Sequence, residues 1–155
     1  MVKSDLGKEV AEFLDKNVFM VVATADEQSQ PEAALMMYLM DENLDFYFVT
    51  RRQTRKFKNL KKNPEVAFVI GLGSESSTMQ GKGRVELLEE KDVEFMKELE
   101  KHPNLVSAYL GPFLELVGLD FAVFRIKPDW LRLLSWDPTK RVESYHQILP
   151  AGLKA

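Results

Sequence analysis

Apolar and polar positions alternate with two different periods along this chain. From Ser4 to Lys16 the apolar residues Leu6, Val10, Phe13 and Leu14 fall on one face at helical spacing, with Ser4 or Asp5 as the cap and Asn17 as the stop. Val18–Thr24 is an almost continuous apolar run short enough for a buried strand, and Asp26 to Pro31 is a polar turn. Glu32–Met40 reads as a long Met-rich strand. Leu44–Thr50 sets Leu44, Phe46 and Phe48 on one face, and together the two predict a hairpin. Thr54–Asn63 reads as a short helix packed through Phe57 and Leu60 and ended by Asn63-Pro64. Val66–Ile70 and Thr78–Leu88 are strands joined by a small-residue loop, and Gly81 and Gly83 suggest a bulge or sharp bend. Lys91–Lys101 is a second amphipathic helix, and Leu105–Val117 is an apolar segment broken by Gly111-Pro112. Leu119–Leu134 is the last strand, with Pro128 implying an edge position or a bulge, and a polar tail follows from Trp136. Six strands with few, short helices predict a mainly β protein, an antiparallel barrel or closed sandwich rather than a βαβ sheet.

Length and composition narrow the chemistry. The 155 residues suit one domain, with a helix over 1–17 and a tail over 136–155. With no cysteine, thiol catalysis, Cys-zinc sites and iron–sulfur clusters are excluded, and with two histidines no metal site is expected. The longest apolar run, Ala33–Met40, is far short of the roughly 20 residues that span a bilayer, and the charged N-terminus has no signal-peptide core. A cytoplasmic protein without membrane attachment is the expectation. No dinucleotide fingerprint, P-loop or nucleophile elbow is present, and His102 and His146 suit surface or capping roles. Reactive chemistry, if any, is expected to belong to a bound cofactor.

Charge is unevenly spread. The formal net charge is −3, yet the window from Phe46 to Pro64 holds Arg51, Arg52, Arg55, Lys56, Lys58, Lys61 and Lys62 with no acid. Such a segment either meets an anion or is a solvated helix face. Nucleic acid is not the expected partner, because only Phe57 lies among the cations and it reads as core-facing. Arg55 and Lys56 fall in the first turn of the helix capped by Thr54, where the macrodipole disfavours cations. A bound phosphate would resolve the conflict, accepting from backbone N–H groups, the Thr50 and Thr54 hydroxyls, Arg55 and Lys56.

The order of Gln30-Pro31, the strand Ala34–Leu39, Phe46-Tyr47-Phe48-Val49-Thr50, Thr54-Arg55-Lys56 and Asn59-Leu60 through Asn63-Pro64 resembles the pyridoxamine 5′-phosphate oxidase-like family of FMN-binding split β-barrels. The later Gly81-Lys82-Gly83-Arg84-Val85 and Phe124-Arg125-Ile126-Lys127-Pro128-Asp129 also match it. The resemblance implies a six-stranded antiparallel split β-barrel with a few peripheral helices, and FMN as cofactor. It implies a phosphate grip from Thr50, Thr54, Arg55 and Lys56, ring contacts from Ala34, Leu35, Met36 and Val49, and a polar ring partner in Gln80. It further implies an oxidoreductase acting as a homodimer that shares its flavin pockets, with NAD(P)H as an electron donor; the sequence adds Trp130 and Trp136, aromatics of the kind enriched at interfaces. Pyridoxamine phosphate oxidases carry an Arg near the start of the second strand, where this chain has Ala34, and a C-terminal Arg/His segment that Tyr145 to Pro150 lacks. The resemblance is therefore nearest to the general-stress-protein-like branch. Its alternatives are a non-catalytic flavin-binding stress protein, or deazaflavin or heme on the same barrel.

Overall fold

Alternating burial builds the barrel wall. The structure, a computed structural model, describes residues 7–71, 77–88 and 120–149. The expected helix over Lys91–Lys101, the Leu105–Val117 segment, His102 and the Ser4 or Asp5 cap lie outside the described residues. Helix α1 (Lys8–Lys16) begins at Gly7 and ends at Asn17, burying Val10, Phe13 and Leu14. Strand β1 (Phe19–Ala25) turns Met20, Val22 and Thr24 inward. It pairs with β2 (Pro31–Met37) on one side and with β5 (Glu65–Ile70) on the other. Strand β3 (Leu39–Met40) pairs with β4 (Phe46–Arg51) through Leu39–Tyr47 and Met40–Phe46. Helix α2 (Arg55–Lys62) then leads to β5, β6 (Ser77–Leu87), β7 (Phe121–Asp137) and β8 (Val142–Leu149).

All pairings are antiparallel and run β2-β1-β5-β6-β7-β4-β3, with β8 beside β7. Because β3 continues β2 through the single residue Tyr38, the two ends of that series meet and the sheet curls shut. Tyr38 is a fixed joint. Its amide donates to the Val18 carbonyl at 3.1 Å, its hydroxyl to the Asn17 carbonyl at 2.6 Å, and its ring lies 5.4 Å from Phe46. Inside the wall, Phe46, Phe48, Phe68, Phe124, Met20, Met79, Ile126 and Leu131 form the core.

The expected six strands are eight among the described residues. The run over Glu32–Met40 breaks at Tyr38, so it provides two strands. The polar tail adds β8. Its turn is built by Asp137, whose carboxylate accepts from the Thr139 and Lys140 amides at 2.9 and 3.1 Å, with Arg141 in the left-handed region at φ 54°.

Pro128 meets both parts of its expectation: β6 flanks it on one side, while on the other it falls in the gap between the β4 ladder, which ends at Ile126, and the β8 ladder, which starts at Leu131. It sits at the bulge, where Lys82 faces Trp130 and Gly83 faces Pro128, leaving Asp129 unmatched. Gly83 is required there: a Cβ would lie 2.2 Å from the Lys127 carbonyl oxygen.

The helices lie at opposite ends of β1. Phe13 of α1 packs against Gly71, just past the Met20–Ile70 pair. Asn59 of α2 and its C-cap Asn63 donate to the Thr24 hydroxyl and the Ala25 carbonyl, at 3.2 and 3.3 Å.

Candidate functional site

Beyond the Tyr38 joint, no ladder joins β2 to β4. Among the described residues β2 pairs only with β1, and β4 meets β3 only through Phe46 and Tyr47. The edges carrying Ala34, Leu35 and Met36 on one side and Val49 and Thr50 on the other are thus left without strand partners, forming a slit. Ala34, Met36 and Val49 are half-buried, whereas Leu35 is 58% exposed. Met36 and Met40 are partly buried and pack against the core, while the backbone edge of β2 offers donors and acceptors to a ligand.

At one end of the slit the chain turns from β4 into α2. Thr54 caps the helix: its hydroxyl oxygen accepts from the Phe57 amide at 3.2 Å, and its proton is donated to the Arg51 carbonyl at 2.9 Å. The buried Thr50 hydroxyl lies 3.2 Å from that of Thr54. Arg55 is 85% exposed at its side chain, and its Nε is 3.7 Å from a Glu32 carboxylate oxygen. Lys56 is only 6% exposed, and no ion pair holds it among the described residues. Burial pushes its pKa down, while the nearby Glu32 charge pushes it back up. The first turn of α2 contains no acid. Thr50 and Thr54 are thus in side-chain contact, and Arg55 and Lys56 follow them in the first turn of α2.

The neighbouring cations separate into roles. Arg52 is diverted from the cluster, pairing with Asp120 at 3.0 Å and lying over the Phe57 ring. Lys58 and Lys61 are exposed, and Lys62 pairs with Glu27 at 2.6 Å, so this part is a surface helix face.

Gln80 is not brought to this cluster within one chain. It pairs across β6–β7 with Arg132, ten residues along β7 from the Ala122 that faces Thr50, and stands in the cross-strand row Gln80–Val69–Val21–Leu35, three strands from Leu35. On that outer face the Arg132 guanidinium donates to the Gln80 carbonyl oxygen at 2.8 Å. It is stacked between Trp130 and Tyr145, 5.1 and 4.8 Å from their ring centres. Tyr145 and, farther along β7, Trp136 are exposed. Sequence reasoning overlooked Arg132, Glu32 and the Asn59–Thr24 contact. The only local hint was that Glu32 opens the strand carrying Ala34. Among the described residues no group of acids and histidines could hold a metal, and no helix is long and apolar enough to cross a membrane.

Solved structures share this fold. The heme storage protein HutZ of Vibrio cholerae superposes with a TM-score of 0.69 at 18% identity, over 81% of this chain and 92% of that one. General Stress Protein 26 of Bacillus anthracis gives 0.62 at 15% identity, over 91% and 97%. A pyridoxamine 5′-phosphate oxidase-related, FMN-binding protein of Nostoc punctiforme gives 0.59 at 11% identity, over 94% and 99%. Among curated proteins, the pyridoxine/pyridoxamine 5′-phosphate oxidase of Coxiella burnetii is 30% identical over 92 residues. That stretch is 59% of this chain and 47% of the relative, so the chain spans about half of that protein's length. The family profile of pyridoxamine 5′-phosphate oxidase matches residues 6–135, the whole cylinder from α1 through most of β7, and the chain belongs to that family.

Proposed function

We propose that the protein binds FMN, with the phosphate at Thr50, Thr54, Arg55 and Lys56 and the ring along the slit lined by Ala34, Leu35, Met36 and Val49, and that it acts as an oxidoreductase. The observation that carries this reading is Lys56, a lysine withdrawn from water with no carboxylate in ion-pair range among the described residues. Burial of most of its side chain disfavours the charged ammonium, and a phosphate dianion would offset that cost. Bound there, FMN would supply hydride or electron transfer, with NAD(P)H as a candidate donor. The chain's own residues anchor and orient: hydroxyls and cations hold the phosphate, and the strand edges offer hydrogen bonds to the ring.

The reading includes a homodimer in which Gln80 and Arg132 complete the pocket of the second copy. A cytoplasmic location accompanies this reading. Heme is the second reading, favoured by the name of the HutZ neighbour and by a heme-binding protein of Mycobacterium smegmatis with a TM-score of 0.64.

An absorption spectrum of the purified protein separates flavin, deazaflavin and heme. In fluorescence titrations FMN should bind more tightly than riboflavin. Arg55→Ala and Lys56→Ala should each weaken FMN by about ten- to hundredfold, since each removes a charge-assisted contact. Equal affinity for the two flavins would refute the phosphate site, and binding of neither would refute the flavin reading.

A further inference from the structure

Glu32 is the one carboxylate among the described residues that reaches the cations of the α2 start. It stands on β2 opposite Thr24, and Thr24 is tied to Asn59 of α2, so the strand presents Glu32 to the helix at a fixed position. Its carboxylate lies 3.7 Å from the Arg55 Nε. The same charge acts on Lys56, opposing the effect of burial. Without Glu32 the ligand-free cluster would hold two cations on the positive end of a helix dipole.

We propose that Glu32 is the resident counter-ion of this cluster, which a phosphate ester displaces from Arg55 on entering, making Glu32 a determinant of how strongly the site discriminates ligand charge. The inference rests on reading Thr50 to Lys56 as a phosphate site. An incoming dianion competes with Glu32 for Arg55 and is repelled by it at a few ångströms, whereas a neutral ligand meets neither effect. Through a partly solvated site that repulsion corresponds to about three- to tenfold in affinity. Glu32 thus lowers affinity for phosphorylated ligands while holding the empty site together.

Glu32→Gln keeps the shape and removes the charge. FMN, riboflavin and orthophosphate are titrated against both proteins at constant ionic strength, with unfolding of the ligand-free proteins followed in parallel. The expected result is FMN and orthophosphate tightened about three- to tenfold, riboflavin unchanged, and a lower unfolding midpoint for the ligand-free variant. Unchanged or weaker FMN binding overturns the inference. Equal weakening of both flavins also overturns it, making Glu32 a hydroxyl acceptor instead. If the unaltered protein does not distinguish FMN from riboflavin, the phosphate reading fails. The counter-ion role is then decided by orthophosphate: tightening on substitution upholds it, and no change overturns it.

Discussion

Lys56 is the residue where stability and binding pull in opposite directions. Burial favours its neutral form, so the ligand-free fold carries a penalty wherever the ammonium stays charged. Lys56→Met, which keeps the long apolar stem, should therefore stabilise the ligand-free protein and weaken FMN. The pH dependence has a definite sign. The folded pKa lies below the ordinary 10.5, so between the two values the unfolded chain binds more protons than the folded one. Folded stability gained from deprotonating Lys56 therefore rises across that window, and the advantage of Lys56→Met should shrink as pH approaches the ordinary value. Urea unfolding of both proteins at several pH values checks this, and a pH-independent difference would contradict it. Thr54, Arg55 and Lys56 were legible because the conflict between cations and a helix start is written in adjacent residues. Glu32 was not, because its approach to Arg55 depends on β2 lying beside α2. Nor was the Gln80–Arg132 contact, which joins residues 52 apart.

Helix α2 shows how one side chain serves two purposes at the scale of an element. The Thr54 hydroxyl caps the helix and points toward Thr50, so its removal should appear in both stability and affinity. Thr54→Ala should destabilise the ligand-free protein by about 1 kcal/mol and weaken FMN, while Thr54→Ser should restore most of both. Denaturant unfolding and FMN titration of the two variants test this, and an alanine variant altered in neither would show the hydroxyl to be idle. Helix α2 and strands β1, β5 and β6 lie within a residue or two of their sequence-based bounds, since each is bracketed by caps or turns. The two departures have different causes. In Ala33–Met40 every residue is apolar, so no alternation marks the joint at Tyr38. In β8 the first five residues are exposed and only Ile148 is buried, so the inward signal is a single position. Asp137-Pro138 was a turn signal that the polar reading of the tail passed over.

For the whole molecule, assigning the α2 cluster and Gln80 to different subunits makes the proposed homodimer testable by complementation. A protein carrying Arg55→Ala and Lys56→Ala lacks the phosphate grip, and one carrying Gln80→Ala with Arg132→Ala lacks the second group. If the pocket is shared, a mixed dimer holds one pocket with both groups intact. Random exchange of subunits should then restore about a quarter of the sites to full affinity. Mixing followed by FMN titration reads this directly, and no recovery after verified exchange would place both groups in one subunit's pocket or remove Gln80 from it. The order of strands around the cylinder also sets a timetable for synthesis. Strand β4 is held by two residue pairs to β3 until β7 arrives, because its six-pair ladder is with Phe121 to Ile126. That partner lies on the order of 75 residues downstream, roughly 4–15 s of translation. Strands β1, β2, β5 and β6 can join well before then. The slit's second wall is therefore among the last parts to be set, and a ligand gripped between Ala34 and Val49 enters a nearly finished barrel rather than guiding the nascent chain.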